Sequence, residues 1–309
     1  MTIPILLDCD PGHDDAIALL LALASPEVEL LGVTTVAGNQ TLEKTTANAI
    51  RVLDFVGRDD VDVAAGADRP LAREPAVAAD VHGESGLDGP ALPPPRREAL
   101  PQHAADFLAL RLFDSPERVT LVPTGPLTNV ALLLERHPDA AGRIERIVLM
   151  GGSIAEGNVT PAAEFNVWAD PEAARAVFES GLDLTMIGLD VTHEALMRLE
   201  DAERLRGAGR TGRLVAELFD FFSAFHREVY GFDGAPIHDA VAVAHVCRAD
   251  LVDTVERHVA IETESELCRG RTVVDLWRRT GNEPNARVGV AIDGEAFLEL
   301  LVERISTFP

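Results

Sequence analysis

Four carboxylates fall within eight positions near the start of this chain: Asp8, Asp10, Asp14 and Asp15. An apolar run, Ile3–Leu7, leads into them, and Pro11-Gly12 turns the chain before an apolar helical stretch, Ala16–Ala24. Side chains on a strand alternate, so Asp8 and Asp10 share one face and Cys9 takes the other. Asp14 and Asp15 fall in the first helical turn, where free N–H groups and the helix dipole favour each negative charge by about 0.3–1 kcal/mol. That cannot offset the mutual repulsion of four acids, whereas a cation can. A helix cap alone would need one aspartate. The ligands are hard oxygens with no clustered Cys or His, which points to calcium or magnesium rather than zinc.

The elements that must position these acids read as an alternation of strands and helices. Strand patterns at 30–36, 61–65, 118–122, 144–149 and 184–189 are interleaved with helical spacing at 41–56, 103–114 and 171–179. The alternation predicts an α/β fold, a Rossmann-like open sheet, mostly parallel, with flanking helices and right-handed crossovers. Ligands of such sheets sit beyond the carboxyl ends of the strands. Asp10 and Asn39 belong there, and Thr124 and Met150 follow further strand ends. The span 199–230 reads as mostly helical with a break near 207–212, and His238-Asp239 opens a helix reaching Val246. Extra strands are expected near the C-terminus at 259–262, 272–277 and 287–292, before a terminal helix at 295–304. No linker or repeat interrupts the pattern, so one domain over residues 1–309 is expected. The Pro- and Gly-rich span 66–102 is too long for an ordinary connection and reads as a lid or binding loop, with His82 at its polar centre.

Bulk properties narrow the function. The net charge is −24 and the pI about 4.6, which opposes binding to nucleic-acid backbones or anionic membranes. Among 27 basic residues only Lys44 is a lysine, so lysine Schiff-base and phosphate-loop chemistry lack their residue. Cys9, Cys247 and Cys268 are too scattered for a disulfide framework or a metal cluster, and imply a reducing, cytoplasmic setting. The longest apolar run is far short of the roughly 18 residues that span a bilayer.

The motif Asp-x-Asp-Pro-Gly-x-Asp-Asp-Ala at 8–16 closely resembles that of the inosine–uridine-preferring nucleoside hydrolases, and further matches recur to about Asp239. The resemblance implies calcium-dependent hydrolysis of ribonucleosides by a homo-oligomer, a tetramer or dimer. It implies Asp10, Asp15, the Thr124 backbone carbonyl and Asp239 as calcium ligands. Asp10 is then the general base for a water, because calcium acidifies water less than zinc does. Asp14, Asn39, Asn158, Glu164 and Asn166 become ribose contacts, with Met150 and Phe165 beside them. His238 faces the site next to Asp239 and is the expected partner of the leaving base. His226 and Tyr230 lie four apart on one helix face, and the stretches 82–90 and 160–166 look most like the bacterial pyrimidine-preferring branch. Uridine and cytidine are therefore the expected substrates, with His226 and Tyr230 supplying donors to the base edge, and a purine-preferring or non-specific nucleoside hydrolase is the alternative within the family.

Two other classes share part of the pattern. A haloacid-dehalogenase-like magnesium phosphatase also carries a strand-end Asp-x-Asp, but needs a lysine near the phosphoryl group. A non-catalytic calcium-dependent sugar-binding protein would keep the ligands without turnover.

Overall fold

β-branched and aliphatic runs, short enough to be strands and bounded by Gly, Pro or Asp, build the frame of the molecule. The computed structural model describes residues 2–308. Its strands, in chain order, are β1 (Ile3–Cys9), β2 (Val28–Thr35), β3 (Val63–Ala65), β4 (Val119–Pro123), β5 (Ile144–Met150) and β6 (Leu184–Ile187). They continue as β7 (Leu196–Met197), β8 (Ala235–Pro236), β9 (Val252–Arg257), β10 (Val259–Ile261), β11 (Thr272–Val274) and β12 (Ala286–Ile292). Eight of them form one sheet in the order β3-β2-β1-β4-β5-β6-β12-β9. All its pairings are parallel except β12 with β9. The pairs β7–β8 and β10–β11 are small antiparallel ribbons outside it.

The chain runs outward from β1 to β3, returns to β4 beside β1, and then runs outward the other way. The direction of strand order thus reverses between β1 and β4, the place where open parallel sheets leave a crevice for ligands. Period-two alternation divides the core along β1. Ile5, Leu7 and Cys9 pack with the buried helix His13–Ala24 and with Phe297, while Leu6 joins Phe107, Leu121 and Ile147 on the opposite face. Helices covering both faces explain why the strands are apolar throughout rather than alternating with polar residues.

Local structure departs from the sequence expectations in ways that have physical causes. The first helix begins at His13, three residues before its apolar stretch, because the Asp15 carboxylate accepts from Gly12 N at 3.1 Å and Asp10 N at 3.3 Å and caps it. The helical span near 200–230 breaks only between Leu199–Arg206 and Gly209–Tyr230. Strand β11 stops at Val274, short of Trp277. Strand β9 was hidden because it is an edge strand with exposed Asp253 and Glu256. The irregular segment after β5 contains a short helix, Phe165–Ala169, and β6 is followed by another, Leu189–Thr192. Among the described residues no helix is long and apolar enough to cross a membrane.

Phe107, 1 % exposed, fills the space between its helix, Ala104–Asp114, and the sheet. Phe107→Ala is expected to cost about 3–5 kcal/mol in urea unfolding. A loss under about 1 kcal/mol would show that the surrounding side chains collapse into the space.

Candidate active site

The acids converge at the carboxyl edge of the sheet, around the β1/β4 crevice. One oxygen from each of Asp14, Asp15 and Asp239 lies within 4.8 Å of the others, all three side chains being buried. Asp10 stands beside them. Its Oδ2 accepts from Asn39 N at 2.6 Å, and its buried Oδ1 has no protein partner. Asp15 accepts from Thr124 Oγ1 at 2.8 Å and from Asn39 Nδ2 at 3.0 Å. The crowding of the four acids in sequence pointed to a cation, and the resemblance set Asp10 on the ion and Asp14 on the sugar; the structure places Asp14 beside Asp15 and Asp239. Asp8 stands apart from the group, accepting from Thr34 Oγ1 at 2.6 Å and Asn129 Nδ2 at 2.8 Å.

Burial, and then repulsion from Asp15, drives the carboxyl of Asp14 up to about 8 and that of Asp10 well above the usual range. Asp239 is raised in the same way by burial and by Asp14. None of these acids is ion-paired with an arginine or lysine among the described residues. Lys44 is occupied elsewhere, donating to Gln40 Oε1 and the Glu84 carbonyl. A buried all-oxygen set with an orphaned carboxylate oxygen and no basic partner fits a hard divalent cation.

A cavity of about 330 Å³ opens above the acids, with Asp14 and Asp239 at its base. Each predicted substrate contact lines it: Asn39, His82, Met150, Asn158, Glu164, Phe165, Asn166, His226 and Tyr230, as do His238 and Thr124. Several of these also hold the wall together. The Glu164 carboxylate accepts from Gly152 N at 2.8 Å, Asn166 N at 2.8 Å and Val167 N at 3.2 Å, capping the short helix Phe165–Ala169. Its burial still raises the carboxyl to about 7. Asn166 Nδ2 donates to the carbonyls of Thr124 at 2.7 Å and Met150 at 3.2 Å. Asn158 Oδ1 accepts from Phe165 N at 2.9 Å.

His82, His226 and His238 line the cavity with aromatic rings, and His13 and His193 pack behind them; burial lowers the pKa of all five imidazoles. Each neutral imidazole carries one donor and one acceptor. A carbonyl can only accept, so His226 Nδ1 donates to Phe222 O at 3.0 Å and its Nε2 is an acceptor. Tyr230 likewise places its proton on Asn158 O at 3.3 Å. Both residues therefore offer acceptors to the cavity, correcting the expectation that they supply donors. His238 Nδ1 lies 2.7 Å from Thr192 Oγ1. Sequence reading missed Phe222, Phe225 and Trp168, which line the cavity, and His193, whose ring meets His238 edge-on at 5.6 Å. The first two sit on the His226 face of the helix Gly209–Tyr230, so helical spacing could have found them; Thr192 and His193 carried no motif.

The geometry has close counterparts among known proteins. The model of the inosine-uridine preferring nucleoside hydrolase family matches residues 5–299. The pyrimidine-specific ribonucleoside hydrolases RihA of Citrobacter koseri and Salmonella arizonae are 52 % and 53 % identical over 310 residues, covering 100 % of this chain and 99 % and 100 % of theirs. Among solved structures, the plant nucleoside hydrolase PpNRh1 superposes with a TM-score of 0.94 at 31 % identity, covering 99 % of this chain and 100 % of that one. The purine-preferring ribonucleoside hydrolase of Gardnerella vaginalis gives 0.93 at 33 %, covering 99 % and 98 %.

Gly38 and Gly125 flank the Asp10 carboxylate so closely that a Cβ on either would overlap its Oδ2 or Oδ1. If the acids hold a divalent cation, Gly38→Ala and Gly125→Ala are each expected to weaken its binding by about tenfold or more in calorimetric titration, since crowding a packed site costs about 1–3 kcal/mol. Unaltered affinity in both variants would show that Asp10 does not face the ion.

Proposed function

The chain belongs to the inosine–uridine-preferring nucleoside hydrolase family and hydrolyses the N-glycosidic bond of ribonucleosides, and on that footing we propose that it is a calcium-dependent enzyme preferring uridine and cytidine. The observation that carries this reading is the cavity itself, with the buried acids Asp14 and Asp239 at its base, the unpartnered Asp10 Oδ1 beside them, and acceptor-bearing rings on its wall. The relatives named as pyrimidine-specific share 52–53 % identity over the whole chain, which supports the base preference. The fold alone does not, because a purine-preferring hydrolase shares it.

Asp10, Asp14, Asp15, Asp239 and the Thr124 carbonyl are the groups that would hold the ion. When bound, calcium supplies the positive charge these acids lack and acidifies a neighbouring water. Asp10 takes the proton of the attacking water as its oxygen bonds to C1′. The C1′–N1 bond breaks through an oxocarbenium-like state, and its electron pair passes to the base. Asn39, Asp14 and Asn158 hydrogen-bond the ribose hydroxyls, and Glu164 and Asn166 keep that wall rigid, so that binding energy assists distortion at C1′. His226 Nε2, an acceptor, suits the N3–H of uracil or the exocyclic amine of cytosine, both on the pyrimidine edge.

In the same reading the enzyme works in the cytoplasm, where its free cysteines stay reduced, as a homo-oligomer for which exposed Leu267 and Trp277 offer apolar surface. A phosphatase reading has little support, since Lys44 is committed to Gln40 and Glu84.

The test is a panel of uridine, cytidine, inosine, adenosine and 2′-deoxyuridine, run with chelated and calcium-restored enzyme. Chelation should abolish turnover and calcium restore it. 2′-Deoxyuridine should lose about 10⁴-fold in kcat/KM, since it leaves buried polar groups unpaired. Inosine exceeding uridine would overturn the pyrimidine assignment alone.

Asp10→Asn should lower kcat at the upper end of the roughly 10²–10⁴-fold worth of a general base or beyond, because it also weakens the ion. A fall of less than about tenfold would assign the water to another residue. Methylation at N3 of uridine removes the donor that His226 accepts. 3-Methyluridine is expected to lose about tenfold in kcat/KM with the native enzyme, and His226→Ala to narrow that gap. Equal handling of the two nucleosides by the native enzyme would remove His226 from base recognition.

A further inference from the structure

Thr192 ends the short helix Leu189–Thr192 that follows β6, and its side chain is fully buried. Its hydroxyl has one partner, His238 Nδ1, at 2.7 Å. Two proton arrangements satisfy that distance. If Nδ1–H donates to the hydroxyl oxygen, the hydroxyl's own proton is left buried with no acceptor, and His238 Nε2 becomes a second bare acceptor on the cavity wall. If the hydroxyl donates to Nδ1, no protein donor is orphaned, and Nε2 carries the proton into the cavity. Leaving a buried donor unpaired is the costly alternative.

We propose that Thr192 is a positioning residue that fixes the tautomer of His238 with its proton on Nε2, so that a donor faces the departing base. The proposal rests on the ribonucleoside hydrolase reading and assigns a direction to its leaving-group step. His226 and His238 stand with ring centres 6.2 Å apart and present opposite polarity, acceptor and donor. A pyrimidine edge carries O2 beside N3, and the pair matches an O2 acceptor next to the N3–H of uracil. As the C1′–N1 bond breaks, its electron pair spreads from N1 onto O2, and the His238 Nε2–H stabilises that oxygen. The water proton goes to Asp10, so Thr192 donates a hydrogen bond and exchanges no proton with the substrate.

Thr192→Val removes the hydroxyl at nearly constant shape, and Thr192→Ser retains it. Uridine and 4-nitrophenyl β-D-riboside separate the roles, because 4-nitrophenolate departs without help from a donor. Thr192→Val should lower kcat on uridine by about tenfold or more, with KM within about threefold and the nitrophenyl riboside within about threefold of native turnover. Thr192→Ser should return uridine turnover to within about threefold of native. Equal losses on both substrates, a serine variant as slow as the valine one, or unchanged uridine turnover in Thr192→Val would each overturn the proposal. Long-range ¹H–¹⁵N spectra of the ¹⁵N-histidine-labelled full chain, with His238→Gln identifying the resonance, give a readout free of activity. Nε2–H in the native protein is expected, and Nδ1–H would overturn the assignment. A native enzyme inert on both substrates would instead refute the hydrolase reading, while the spectra still decide the role of Thr192.

Discussion

Buried carboxylates that no basic side chain neutralises set the conditions for the rest of this structure. Ionised acids brought together in a medium of low effective dielectric repel strongly, and each also loses its hydration. The protein holds them with rigid elements. Asp10 leaves β1, Asp14 and Asp15 open the first helix, and Asp239 opens the helix His238–Cys247. Neutral donors then fix the orientations: Thr124 and Asn39 on Asp15, and the Asn39 backbone on Asp10. These hydrogen bonds direct the carboxylates without cancelling their charge. The cluster is left without a basic partner, and the raised carboxyls of Asp10, Asp14 and Asp239 register that missing positive charge.

The fold was largely legible because its strands and helices are long and strongly patterned, and because strand-end residues declare the functional edge of a parallel sheet. Asp10, Asn39, Thr124 and Met150 could be placed there from sequence alone. What stayed hidden was short or depended on distant partners. Strand β9 reads as polar because one side faces solvent, and the helix Leu189–Thr192 is too brief to show a period. The meeting of Asp239 with Asp14 and Asp15 follows from where the helix His238–Cys247 docks, 225 positions after Asp14 in the chain. No local pattern encodes such a juxtaposition.

Residue types were also more legible than hydrogen-bond directions. His226 and Tyr230 could be placed on one helix face from their spacing, and both are in the cavity wall. Their polarity was inverted in the sequence reading because it depends on two carbonyls, Phe222 O and Asn158 O. A ring nitrogen is a donor or an acceptor according to what the other nitrogen touches. The partners of Glu164 and Asn166 make the same point. Both look like free sugar contacts in sequence, yet each already binds backbone groups and holds the wall in shape.

Neutrality of the imidazoles follows from the same electrostatics as the acid cluster. An imidazolium next to the carboxylates would neutralise them internally and compete with any cation. Burial among Phe221, Phe222, Phe225 and Phe232 disfavours the charged form and keeps the rings out of that competition. Once neutral, the rings act through the direction of their single proton rather than through charge. The apolar wall therefore has two effects from one cause: it leaves the acids without an internal cation, and it makes the orientation of its single proton the property through which each imidazole faces the cavity.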